Sequence, residues 1–106
     1  MRQLNFDLQR LLEGDRQGSH GTRRMRRFVL MQAAETLHRL GYRGLRARGL
    51  KGRHVEALVV EWQRQGLGAG TMRNRMAHLR WWAGKVGKAG IVRRDNASYG
   101  IGTGAR

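Results

Sequence analysis

Apolar side chains recur every three or four residues in four separate stretches of this chain, with glycine-bearing segments between them, and that periodicity constrains the fold more than any other feature. Leu4, Leu8, Leu11 and Leu12, with Phe6 beside them, predict a first helix from Arg2 to Glu13, stopped by Gly14. Gly18, Ser19 and Gly21 then favour a loop, and Thr22 is the expected N-cap of a second helix running from Arg23 to Leu40. Its stripe is Met25, Val29, Ala33, Leu37 and Leu40, widened by Phe28, Leu30, Met31 and Ala34. Val55, Leu58, Val59 and Trp62 mark a third helix from about Arg53 to Gln65, with Glu56 and Glu61 off its apolar face. A glycine-rich turn, Gly66 to Thr71, leads into a fourth helix on which Met72, Met76, Leu79, Ala83 and Val86 share a face. Thr71 is its expected cap, with Ala69 and Gly70 as alternative starts.

These stretches predict an all-α fold, a compact bundle of four to five helices over residues 1–95. Between the second and third helices, Gly41 is the expected C-cap, and Gly44 and Gly49 keep a basic connector irregular, with Arg43, Arg46, Arg48 and Lys51 exposed. Past Gly87, the glycines at 90, 100, 102 and 104 interrupt any periodicity, so residues 96–106 are expected to be a flexible linker. At 106 residues there is room for one small domain, and 40% hydrophobic residues suffice for a core of aliphatic side chains, Met and three Trp. The absence of Cys excludes disulfides and Cys-based zinc sites. No apolar run approaches the roughly 20 residues that span a bilayer, and the N-terminus lacks a signal pattern. A cytoplasmic protein, in the bacterial cytoplasm or nucleoid, is expected.

Charge bears on function. Twenty-two Lys and Arg against seven Asp and Glu give a formal +15, far more than solubility requires, so the chain is expected to meet a polyanion. The cations are concentrated: residues 16–54 hold eleven with one acid, Glu35, and residues 62–94 hold eight with none. Arg23, Arg24, Arg26 and Arg27 follow the expected start of helix two, and Arg73 and Arg75 follow Thr71 in helix four. Acids are the residues that stabilise a helix N-terminus. A phosphate backbone would resolve that misfit at both starts, because helix N–H groups and arginine forks bind the same oxygens and arginine also reads guanine.

The order of these segments resembles the SAM-like core-binding domain of tyrosine recombinases, the N-terminal part of phage-type integrases. The likeness rests on Val55, Leu58, Val59 and Trp62 in one helix, then Gln65-Gly66-Leu67, Gly70-Thr71, an amphipathic basic helix with Leu79, and the pair Trp81-Trp82. It extends over roughly residues 1 to 95, with Ser19 or Thr22 opening the second helix. Gly68-Ala69 stands where Ser-Pro is common, and Lys51-Gly52 where a Ser or Thr cap often begins helix three. The resemblance implies half of a clamp around a recombination half-site, with helices two and four toward the major groove. It also implies as partners double-stranded DNA, sister integrase subunits in a synaptic complex, and a catalytic domain of the same full-length protein. On helix four it points to Thr71 and Asn74, with Arg73, Arg75 and His78 as neighbours; Asn74 is the expected base reader, because an amide pairs bidentately with adenine. Together with Thr22, Arg23, Arg24, Arg26, Arg27, Lys51 and Arg53 these form the expected DNA-binding set.

Catalysis is not expected of this segment. His20-Gly21-Thr22-Arg23 has an HxxR spacing and Tyr99 lies downstream, which mimics the recombinase signature, but four letters with two free positions recur by chance in so arginine-rich a chain. The histidines at 20, 38, 54 and 78 have no repeated ligand spacing, the acids form no metal cluster, and Gly66 to Thr71 lacks the lysine of a phosphate loop, so no cofactor is expected. Two other functions compete: a helical interaction module that docks an acidic partner or sister subunit through the leucine stripe of helix one, and RNA binding by A-form shape.

Overall fold

The computed structural model describes residues 2–101, and among them it contains four α-helices and no strand. These are α1 (Gln3–Glu13), α2 (His20–Arg39), α3 (Gly52–Arg64) and α4 (Ala69–Lys85), joined by short 3₁₀ turns at Ala47–Gly49, Ala89–Ile91 and Asn96–Tyr99. The all-helical class follows the periodicity. The described residues group into two units, divided between Leu50 and Lys51 inside the basic connector. No helix among the described residues is long and apolar enough to cross a membrane.

In the first unit, α1 lies against α2 and against the turn at Ala47–Gly49. Leu4, Leu8 and Leu12, one turn apart, are buried, as are Val29, Leu30, Ala33, Ala34 and Leu37 of α2. Polar ties fix the pairing: Arg2 with Glu35, and Asn5 Nδ2 donating to Met31 Sδ at 3.6 Å. Asp7 grips the connector, accepting from Arg46 Nε (2.8 Å), Arg46 Nη2 (3.0 Å) and the Ala47 N–H (3.1 Å). The Arg46 guanidinium, outweighing partial burial, holds the Asp7 carboxyl below its ordinary pKa. Met25, Phe28 and Leu40, expected in the apolar stripe of α2, are exposed instead: the stripe is wider than the neighbouring helix can cover.

Ser19, not Thr22, caps α2: its Oγ accepts from the Thr22 N–H at 3.1 Å, so the helix opens three residues earlier than expected and Thr22 is its third residue. At the other end Gly41, at φ +105°, lets the chain reverse so that the Tyr42 N–H reaches the Leu37 carbonyl at 3.0 Å.

In the second unit, Val55, Leu58, Val59 and Trp62 of α3 and Met72, Met76, Leu79, Trp82 and Ala83 of α4 form the buried set. The start of α3 is tied by the Lys51 N–H donating to His54 Nδ1 at 2.9 Å, the reach of a capping box made with imidazole in place of Glu or Gln. Glu61, expected off the apolar face, is buried; it is tolerated there because Arg64 Nε and Nη2 (2.9 and 2.7 Å) and Gln65 Nε2 (3.1 Å) satisfy its carboxylate. The turn into α4 depends on Gly66 at φ +79°, and Gly68, not Thr71, precedes the first helical residue.

Beyond α4 the chain folds back on its own unit. Arg80 Nη2 donates to the Arg93 carbonyl (2.7 Å), the Arg94 carbonyl (3.3 Å) and Asn96 Oδ1 (2.6 Å), and Gln63 Nε2 donates to the Tyr99 carbonyl at 2.9 Å. Arg93 pairs with Glu56, and Val92 and Ile101 are buried. Of the segment expected as a linker, residues 102–106 lie outside the described residues.

Candidate nucleic-acid interface

His20, Arg23, Arg24 and Arg27 stand at positions i, i+3, i+4 and i+7 of α2 and so share one helix face. With Leu12, Glu13, Asp15 and Arg16 from the end of α1 and the loop after it, they line an open cleft of about 340 Å³ within the first unit. Arg16, Arg24 and Arg27 are exposed and have no hydrogen-bond or ion-pair partner among the described residues. Arg23 is half-buried; its Nη2 lies 3.4 Å from His20 Nδ1, and its buried Nε has no partner.

Arg26 departs from this face. It stands about 100° round the helix from Arg27, is only 7% exposed, and pairs with the buried carboxylate of Asp15 while donating to the Gln17 carbonyl at 3.3 Å. Expected among the surface arginines, it is instead an internal tie between the loop and α2. Asp15 also accepts from the Gln17 N–H at 2.9 Å, so one of the two carboxylates lining the cleft is already engaged.

On the second unit, Thr71, Arg73 and Asn74 are exposed on the first turns of α4, and Lys51 and Arg53 are exposed where α3 begins. Arg75 is half-buried, its guanidinium 5.0 Å from the centroid of the Trp62 ring, and burial lowers its pKa from the ordinary arginine value. His78 is 5% exposed and faces inward, away from that surface. Trp82 is fully buried, and Trp81 is half-buried with Lys85 Nζ 5.5 Å from its ring, so both serve packing.

The misfit of cations at helix starts is milder than expected. Neither α2 nor α4 has an acid in its first turn, but Arg23 is the fourth residue of α2, and Arg73 and Arg75 are the fifth and seventh of α4. The influence of the helix dipole fades within the first turn. What distinguishes the α2 arginines is convergence in a concavity. Two cationic or titratable residues of that cleft, Arg16 and His20, fall outside the DNA-binding set expected from sequence: a loop residue such as Arg16 carries no periodic signal, and His20 stands before the expected helix start. The i, i+3, i+4, i+7 spacing of His20 with three arginines was the signal that could have found it. Tyr99, the other half of that lookalike, belongs to the second unit, where its hydroxyl accepts from the Arg93 N–H at 2.9 Å. No group of His, Asp and Glu able to hold a metal occurs among the described residues.

A family model described as phage integrase, N-terminal, matches residues 1–89. No curated protein and no solved structure matches the chain.

Proposed function

The chain belongs to the phage integrase N-terminal family, whose fold is SAM-like and whose members are the non-catalytic module of an integrase, and on that premise we propose that it recognises recombination half-sites as duplex DNA. The observation that carries the reading is the α2 cleft lined by Arg16, Arg23, Arg24 and Arg27, where cationic forks outnumber the one carboxylate, Glu13, that is not engaged by Arg26. Arg23, Arg24 and Arg27 supply backbone affinity in this reading. On the second unit Thr71, Arg73 and Asn74 approach the bases, with Asn74 as the reader, and Lys51 and Arg53 add phosphate contacts. Arg26 is left out of the contact set by its ion pair with Asp15.

Sister subunits and a catalytic domain of the same full-length protein are the remaining partners. The leucine stripe of α1 does not serve as the subunit contact, because Leu4, Leu8 and Leu12 are buried within their own unit.

The test is binding of a labelled attachment-site duplex across a salt series, with a scrambled duplex and an RNA duplex as competitors. Affinity should fall linearly on a double-logarithmic plot against salt, and the attachment site should outcompete both others. Salt-insensitive binding, or none, would sink the proposal, and preference for the RNA duplex would replace it with RNA recognition.

A further inference from the structure

We infer that the α2 cleft is a single, preformed seat for one phosphodiester, in which Arg23, Arg24 and Arg27 act on the same phosphate rather than on three separate ones. The inference rests on the DNA-binding reading and goes beyond it by assigning stoichiometry and geometry to the site.

Three observations converge on it. The first is shape: arginines on a convex helix face diverge toward different phosphates, whereas these line one concavity of about 340 Å³ together with Arg16 and His20. The second is charge. Of the two carboxylates in the lining, Asp15 is taken from beneath by Arg26, and Glu13 is exposed at the end of α1 with no ion pair to any of the four cleft arginines. Four guanidiniums beside the single unpaired carboxylate of Glu13 leave the cleft with a net excess of positive charge, and a bound anion reduces that repulsion while accepting their forked N–H groups. The third is an unmet donor: Arg23 Nε is buried with no acceptor, while the Nη2 of the same side chain is held near His20 Nδ1. A buried donor left unsatisfied costs stability, and a phosphate oxygen entering the cleft would satisfy it. The Asp15–Arg26 pair positions the loop that forms the cleft wall, and Arg26 itself does not line the cleft.

The number of phosphates engaged can be counted from the salt dependence of DNA binding, which loses about 0.9 of logarithmic slope for each phosphate no longer neutralised. If the arginines share one phosphate, Arg24→Gln, Arg27→Gln and the double variant should weaken binding while changing the slope by much less than about 0.9, because the guanidiniums that remain still neutralise that phosphate, whereas separate phosphates would cost the double variant about 1.8. Arg24→Lys/Arg27→Lys, which keeps the charge and loses the forks, should retain the slope while weakening binding. Both positions are exposed, so the variants should retain the helical circular dichroism of the parent chain.

Inorganic phosphate alone, titrated into the DNA-free chain, should shift the side-chain Nε–Hε resonances of Arg23, Arg24 and Arg27 along one saturable curve. A hexaglutamate peptide should do so only weakly. An additive loss of slope in the double variant would overturn the single seat and leave the DNA reading intact. Unchanged affinity in every variant would do the same. Should the parent chain bind no duplex, the DNA reading falls, and the seat is then judged on inorganic phosphate: saturable shifts sustain it, and their absence ends it. Stronger shifts with hexaglutamate than with phosphate would overturn it in favour of an acidic protein segment.

Discussion

Arg26 shows how one residue's role turns on its partner. It lies in a run of four arginines, yet its guanidinium and the Asp15 carboxylate retain only 9% and 2% of their side-chain exposure. Breaking a buried pair strands the surviving charge, so Asp15→Asn should lower unfolding free energy by about 3 kcal/mol in urea denaturation; a loss near zero would mean that Arg26 finds another acceptor. Asn74 is the opposite case, exposed and available. Asn74→Ala should relax preference at one base pair by about 1–3 kcal/mol, read from competition with single-site variant duplexes, and an equal loss on every sequence would remove Asn74 as the reader.

His54 has a titration consequence. Burial, reinforced by Arg53, Lys51 and Lys88, holds its pKa below the ordinary 6.5, and its Nδ1 must be unprotonated to accept from Lys51. The unfolded chain therefore binds the extra proton first. The stability His54 contributes is complete above its unfolded pKa and is lost as pH falls through its lower folded value. Melting temperature should drop between about pH 7 and pH 5, and His54→Gln, which keeps the capping reach without titrating, should show a smaller drop. Equal drops in both proteins would place the titration elsewhere.

At the scale of elements, the helices were legible because each is punctuated by residues whose preferences are local. Gly14, Gly41, Gly66 and Gly87 end the apolar stretches, and the structure ends its helices at or just before them. The starts were less legible. Ser19 and Thr22 are both good caps, and only the observed bond from the Thr22 N–H to the Ser19 Oγ distinguishes them. Least legible was the segment after α4, whose glycines suggested a linker from residue 96. Its order through Ile101 comes from Arg80 and Gln63, residues 13 to 36 positions away in the chain, and no local rule reports such a bond. Arg80→Ala should therefore raise amide hydrogen exchange selectively in residues 93–101 while the α3 core stays protected. Uniform exchange across the second unit would contradict that local role.

For the molecule as a whole, the governing quantity is the formal charge of +15 on 106 residues. Self-repulsion of this size destabilises the folded state at low ionic strength, and salt screens it over a Debye length of about 10 Å at 0.1 M. Raising sodium chloride should therefore raise the melting temperature of the free protein while weakening its binding to duplex DNA. A melting temperature that falls with salt would mean that the internal pairs, Asp7–Arg46 and Arg2–Glu35 among them, outweigh the repulsion.

Sequence alone determined the helical class, the excess of cationic charge and the arginine-bearing stretches of α2 and α4, because periodicity, glycine punctuation and composition are local properties of the chain. Tertiary structure decided which of those arginines face outward. It buried Arg26, Glu61, His54 and His78, exposed Phe28, and gathered Arg16, His20, Arg23, Arg24 and Arg27 around one cleft. The physical reason is that a helix period fixes which side chains share a face, whereas the elements packed beside it fix which face is covered and which polar groups find a partner.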